Sequence, residues 1–410
     1  MEVPRIGLVG LGKMGRTIVH HIVRTNRELV AVAEINLTRG SDVLGEAGVK
    51  FGIADTIEKA KKIHERGEIV LTAEAELLFQ MEEVNVIIDA TGDIRTGSLV
   101  ALMGIQSRKN IVMLNAEFDA LVGPLVTSLS RSAGIVYTGD LGDEPGTVMH
   151  YLYEPLRQIG MDVIVAGKGK NNPLDHRATP ETLAQTSAKQ NLSPKILTSF
   201  VDGTKTMVEM TILSNATGLL PDVRGMHGPV ATLSEISQIF RLKNDGGILN
   251  SLHVVDYVQG IAPGVFAVAT TDDEVILENM KYLKVGEGPY FVFYRPYHLP
   301  GSETLLTAVK AVTEKKPIIQ ASGYFSDTCA VAKRDLQVGE KLDGIGGFTA
   351  YGTIEKREIS KEQGLLPIGL SKGAVVKRTI RRDQPISFDD VEVEEDLTYD
   401  LWRIQQKILR

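Results

Sequence analysis

Apolar and polar positions along this chain change period several times, and those changes mark its elements. Up to Gly139, short Val- and Ile-rich runs alternate with longer mixed segments. The runs 5–9, 29–34, 84–90, 110–115 and 134–138 are predicted strands. They are rich in Val and Ile, as a parallel sheet buried on both faces requires, and segments 56–66 and 97–107 read as helical crossovers. Met14, Ile18, Val19, Ile22 and Val23 share one face at helical spacing, so a helix follows the first strand directly.

The pattern changes after Asp140. The run Gly142-Asp143-Glu144-Pro145-Gly146 precedes an amphipathic stretch to Ile159 and a predicted strand over 161–166. Beyond it, polar segments 167–172, 200–210, 215–228 and 253–268 lie between short strands, the pattern of loops carried on a sheet. From about Ser322, short strands and glycine turns recur every ~8–12 residues, which predicts a small all-β module. At the end, Leu397, Leu401, Ile404, Ile408 and Leu409 form one stripe of a helix that needs a surface to cover. The predicted fold is α/β, with a doubly wound parallel sheet over 1–140 and an α+β substrate domain over 141–321. A small all-β domain over 322–395 and a C-terminal helix over 396–410 complete it. A length of 410 residues agrees with several cores, and the apolar stripe predicts a homo-oligomer, a dimer or tetramer.

Composition narrows the function. Glycine, at 40 residues, exceeds the usual ~7%, so many backbone positions turn tightly or approach a ligand. A net charge of −7 argues against a nucleic-acid partner, while leaving room for a local basic pocket for a small anionic substrate. The single cysteine, Cys329, excludes an intrachain disulfide and a cysteine metal cluster. With no long apolar run and a strand pattern beginning at once, no membrane span is predicted, and a cytoplasmic protein is expected.

The first strand runs into Gly10-Leu11-Gly12-Lys13-Met14-Gly15 and then into the helix. Gly10 makes the turn, Gly12 admits a pyrophosphate to the backbone, and Gly15 lets helix and strand pack closely. The N–H groups and dipole of the helix start favour phosphate. Glu34, 19 residues beyond Gly15, ends the second strand where an acceptor for a ribose 2′-OH belongs. Together these predict a Rossmann domain binding NAD(H) or NADP(H). Thr91 and Gly92 close one later strand, and Asn115 and Ala116 close the next, at the ends where ligands bind. Glu34 favours NAD, whereas Arg39 is able to pair a 2′-phosphate, so the choice stays open.

The densest ionisable cluster is Lys168, Lys170, Asn171, Asp175, His176 and Arg177, in which two lysines flank a glycine. Such a surface suits a carboxylate, a phosphate or a developing alkoxide. Asp202 and Lys205 bracket another glycine, and Lys205 is placed to protonate a carbonyl oxygen as hydride arrives. Arg224 and His227 lie with Asn215 and Asp222 in a glycine-rich stretch suited to an anion contact or proton relay. The candidate catalytic residues are therefore Lys168, Lys170, Asp202, Lys205 and His227, with Asn171, Arg177 and Arg224 as substrate contacts. Asp143 and Glu144 are candidate ligands for a divalent metal, or caps of the helix that starts there.

Several segments then resemble a known group: Ala166–Asn171, Phe200–Met210, Gly225–Pro229, Tyr294–Leu299 and Leu342–Gly347. They look like homoserine-dehydrogenase-like oxidoreductases with a C-terminal SAF domain, including the deoxyxylulose-phosphate reductoisomerase-like (DRL) enzymes of isoprenoid synthesis. Residues 332–391 resemble the SAF module. The resemblance implies that 1-deoxy-D-xylulose 5-phosphate rearranges and NADPH reduces the resulting aldehyde to 2-C-methyl-D-erythritol 4-phosphate. It would give Lys168, Lys170 and Lys205 the phosphate or carbonyl, and Asp143, Glu144 and Asp202 the metal or proton transfer. A homoserine or sugar-acid dehydrogenase without carbon rearrangement is the alternative enzyme. A dinucleotide-binding sensor or scaffold is the alternative of another class.

Overall fold

The computed structural model describes residues 3–409 and divides into two compact units. One comprises the chain up to Gly146 with Leu299–Gln320, and the other comprises Thr147–His298 with Ala321 onward.

The first unit is a seven-stranded parallel sheet of β1 (Arg5–Val9), β2 (Glu28–Ala33), β3 (Phe51–Ile53), β4 (Ile69–Thr72), β5 (Val86–Asp89), β6 (Asn110–Met113) and β7 (Tyr137–Gly139), in the order β3-β4-β2-β1-β5-β6-β7. Helices α1 (Lys13–Arg24), α2 (Leu37–Glu46), α3 (Ile57–Glu65), α4 (Glu76–Gln80), α5 (Ile94–Ser107) and α6 (Ala116–Ala133) connect them. Their starts are set by local chemistry: Asn36, Thr56, Asp93 and Asn115 accept the amides of Arg39, Lys59, Thr96 and Phe118. Leu8, Val32, Ile88 and Val112 pack on Ile18, Val19 and Ile22 of α1, each buried side chain contributing roughly 1.5–3 kcal/mol. The strand order runs outward in both directions from β1 and β5, so their carboxyl ends flank the switch point of this Rossmann sheet.

Two features depart from the sequence pattern. The strands β3 and β4, three and four residues long, add two members that the sequence pattern did not predict. Residues 299–320, expected in the second region, belong to the first unit. Leu305, Ala308 and Val312 enter its core at helical spacing, and Gly139 N donates to Ile319 O at 2.9 Å.

The second unit is built on a mixed sheet of β8 (Asp162–Lys170), β9 (Leu220–Pro221), β10 (Val254–Gln259), β11 (Val265–Thr270) and β12 (Phe291–Arg295), ordered β12-β11-β8-β10-β9. One face is covered by the helix Thr204–Thr217 through Met207, Met210 and Leu213, and the other by Ile236, Phe240 and Leu249. Three expected loops are therefore regular structure. The strand predicted to end at 166 continues through Lys170, residues 204–217 with Asn215 are helical, and 253–268 holds most of β10 and β11.

The C-terminal module pairs β13 (Ser326–Ala332) with β14 (Ala350–Lys356), and β15 (Val375–Val376) with β16 (Val391–Glu392), both antiparallel. The last helix, Leu397–Ile408, is capped by Asp396 and buries Leu401, while Ile404 and Ile408 stay exposed. Among the described residues no helix is long and apolar enough to cross a membrane.

Candidate active site

In the first unit the glycine loop has three differently constrained members. Gly10 has φ +92°, and a Cβ there would meet Ala90 O and Thr91 Cγ2 at 3.1 Å. Gly15 is closed to any side chain, because its Cβ would lie 2.0 Å from Gly10 O. Gly12 is the opposite case: it has an ordinary extended backbone, and nothing lies within 4 Å of a Cβ built on it. Lys13 and Met14 open α1, Lys13 outward and Met14 half-buried. A glycine at position 12 leaves the backbone open to close approach by a ligand.

Glu34 is buried beside this loop. Its Oε2 accepts Leu11 N at 2.8 Å, and its Oε1 accepts Asn36 N at 2.9 Å and pairs with Arg39. Burial works to raise its pKa, but the Arg39, Asn36 and Leu11 donors outweigh it and hold the carboxyl below its usual range. Half of the Arg39 side chain is exposed, at 51%. Across the switch point, Asp89 Oδ1 accepts Thr91 N and Oγ1 at 2.9 and 2.7 Å, and Gly92 has φ +65°. Burial pushes the Asp89 carboxyl up to about 6. Asn115 caps α6 through Phe118 N and ties its amide to Asp93 O at 2.7 Å, with Ala116 buried next to it.

The second unit gathers charge on one sheet face. Strand alternation puts Lys168 and Lys170 toward the helix Thr204–Thr217, and Gly167 and Gly169 toward the other face. Those glycines are required by close neighbours: a Cβ on Gly167 would fall 1.7 Å from Asp256 O, and one on Gly169 2.6 Å from Ala262 N. Both lysines are 5% exposed. Lys168 Nζ pairs with the buried Glu209, and Lys170 Nζ donates to Phe200 O at 2.7 Å. Desolvation first, and then Lys168, bring Lys170 down to about 8 against the pull of Asp202 and Glu209. Lys205 is half-buried, one helical turn before Glu209. Asp202 is fully buried and ion-pairs with Lys333 at 2.8 Å.

Other candidates stand apart from this cluster. His227 Nε2 contacts Asp222 Oδ2 at 2.7 Å, and Asp222 also accepts from Asn250 and Ser251. Burial opposes ionisation of Asp222, yet these partners hold its carboxyl low. Arg224 is anchored to Glu355 and Gln363, each at 2.6 Å, while Asn171 and Arg177 point outward. In the first unit, Glu144 opens the short helix Glu144–Val148. Asp143 and Glu144 join no group of three His, Cys, Asp or Glu able to hold a metal ion among the described residues.

Three residues escaped the sequence reading. Tyr257 pairs with Lys168 in register and lies on the same face, with burial pushing its phenol up to about 12. Arg295 shares that row through Val265, its guanidinium stacked 4.0 and 4.4 Å from the rings of Tyr151 and Tyr297. Lys333 comes from the C-terminal module. Period-two alternation through Asp256-Tyr257-Val258 could have placed Tyr257; no local signal marks Lys333.

Known proteins resemble this chain in parts. No curated protein matches it. A probable dehydrogenase from Thermotoga maritima shares 14% identity over 76% of this chain and 90% of its own, with a TM-score of 0.43. A hyperthermophilic archaeal homoserine dehydrogenase solved with NADPH shares 12%, over 78% and 100%, at 0.45. The 1-deoxy-D-xylulose 5-phosphate reductoisomerase of Zymomonas mobilis, solved with NADPH, shares 19%, over 52% and 57%, at 0.37. The family described as "Oxidoreductase DRL, catalytic domain" matches residues 142–304, within a few residues of the first segment of the second unit, and "SAF domain" matches 327–392. The chain thus carries a DRL oxidoreductase catalytic domain followed by a SAF domain.

Proposed function

We propose that this chain is an NAD(P)H-dependent oxidoreductase that reduces a small anionic carbonyl compound, with 1-deoxy-D-xylulose 5-phosphate as the leading substrate and a reductoisomerase reaction as its chemistry. The observation that carries the reading is the Lys168–Lys170 pair: two ammonium groups on one buried sheet face, one of them with its pKa brought down to about 8. A lysine with a pKa near the working pH is suited to general acid catalysis.

The glycine loop fits a dinucleotide, because Gly12 leaves room for a backbone approach and the start of α1 offers its N–H groups. Glu34 and Arg39 would face the adenosine 2′ group. When bound, the nicotinamide supplies the hydride. Lys170 donates the proton that the carbonyl oxygen takes up, and Glu209 holds Lys168 on the same face for the substrate anion. The reading expects a cytoplasmic homo-oligomer without nucleic-acid or membrane partners.

The test is to incubate purified protein with NADPH and deoxyxylulose phosphate, then with NADP and homoserine, following nicotinamide absorbance. Loss of NADPH with the first pair, abolished by Lys170→Met, supports the proposal. No change with either pair overturns it.

A further inference from the structure

One helix lies between the substrate sheet and the SAF domain and bonds to both. Thr204–Thr217 lays Met207, Met210 and Leu213 toward the sheet and turns other residues to β13 and β14. There Thr211 Oγ1 meets Thr328 Oγ1 and Ser214 Oγ meets Ser326 Oγ, both at 2.7 Å, and Gly352 N donates to Thr204 Oγ1 at 2.8 Å. At the start of that helix sits Asp202. Lys333, just past β13, places its ammonium 2.8 Å from Asp202 Oδ2 and donates to Ala178 O at 2.7 Å and Gly347 O at 2.8 Å. Two of its donors are thus hydrogen-bonded to backbone carbonyls, and its charge lies against the Asp202 carboxylate. Two residues before Asp202, Phe200 O receives Lys170. One corner of chain therefore holds a lysine from the substrate sheet and a lysine from the SAF domain.

Stability does not explain such a pair, since apolar residues of the same volume are often as stable as a buried ion pair. We propose that Lys333 is a positioning residue which, by pairing with Asp202, screens that carboxylate from Lys170, so that the SAF domain sets the proton affinity of the lysine used in the reaction. This rests on Lys170 as the proton donor. The charged groups facing Lys170 are Lys168 on its own strand and Asp202 and Glu209 from the helix side; Gln259, opposite it on β10, is neutral. His176, stacked on Tyr351 at 4.1 Å, meets Asp202 at its backbone carbonyl, at 2.9 Å. Removing Lys333 leaves the Asp202 charge without its counter-ion and free to act on Lys170, whereas removing the Asp202 charge takes away an attraction that favours the Lys170 ammonium.

The experiment titrates Lys170 by NMR in the full chain after reductive ¹³C-methylation, with its resonance assigned through Lys170→Arg. Lys333→Met is expected to move the titration up and Asp202→Asn to move it down, because the Asp202 carboxylate favours the Lys170 ammonium. The alkaline limb of the pH–rate profile should follow each shift. A titration that stays fixed in both variants while Tm falls makes Lys333 merely structural and overturns the proposal. If Lys333→Met does not fold, Asp202→Asn decides alone, and an unmoved or raised titration overturns it. Retained turnover in Lys170→Met, with both shifts present, would overturn the reaction reading and its link to this inference, leaving only the electrostatic coupling of Lys333 to Lys170.

Discussion

The difference between Gly12 and Gly15 allows the dinucleotide reading to be tested without knowing the substrate. Replacing Gly12 by Ala puts a methyl where the protein has nothing within 4 Å, on a backbone that alanine adopts freely. The stiffer unfolded chain favours the variant by about 0.4–1 kcal/mol. Alanine is a poorer N-cap than glycine, which offsets part of that gain. Stability should therefore change by less than about 1 kcal/mol, or roughly 2–4 °C in Tm for a unit of this size. A ligand backed against the loop meets the new methyl, and overpacking of that kind costs about 1–3 kcal/mol. That corresponds to a loss of about 5- to 150-fold in affinity.

Gly15→Ala behaves in the reverse order, because its methyl would lie 2.0 Å from Gly10 O in the protein itself. It should lower Tm whether or not cofactor is present. The assay pairs thermal unfolding with NADPH fluorescence titration of both variants. If Gly12→Ala unfolds early while binding NADPH normally, the loop is only a turn and the reasoning fails.

The remaining predictions concern charge and buried hydroxyls. Arg39→Ala should weaken NADPH binding by about tenfold and NADH binding by less than about twofold, read by fluorescence titration, because a paired guanidinium serves the 2′-phosphate and not the hydroxyl. Lys170→Met should lower kcat by about 10²–10⁴ with NADPH affinity unchanged. In the wild type, reductive turnover should fall as pH rises through about 8, where the ammonium is lost. Asp89, Asp119 and Asp140 of the first unit are each pushed up to about 6 by burial. A carboxyl raised in the fold gives stability that is present below its unfolded pKa of about 4 and lost as pH climbs through about 6, so calorimetric Tm should be higher near pH ~5.5 than near pH ~7.5. Thr211→Val strands the Thr328 hydroxyl and should cost about 1–3 kcal/mol in chemical denaturation, while Thr211→Val with Thr328→Val should cost much less than the two singles added.

The parts legible in the sequence are those whose causes lie close along the chain. Gly10 and Gly15 constrain one another across a single turn, and Glu34 follows from the spacing of one strand–helix–strand unit. The lysine strand was misread as a loop because Gly-Lys-Gly-Lys looks polar and flexible. Its glycines answer to Asp256 and Ala262, neighbours in space that are far off in sequence, and its lysines answer to Glu209 and Phe200. The pairing of Lys333 with Asp202 joins two domains, and nothing near either residue announces it.

The helix Thr204–Thr217 shows why this hidden portion is also the chemical portion. An amphipathic helix betrays itself by a polar face turned to water. This one has β structure on two sides and buries every residue from Thr206 to Ala216, so its polar groups are spread around the axis and each needs a protein partner. Thr204, Thr211, Ser214 and Asn215 find theirs on the SAF side, and Glu209 finds Lys168 on the sheet side. A helix so placed cannot shift toward one layer without breaking bonds to the other. The SAF domain therefore fixes the height of Glu209 over Lys168, and with it the geometry of the charged face, through hydrogen bonds that carry no charge.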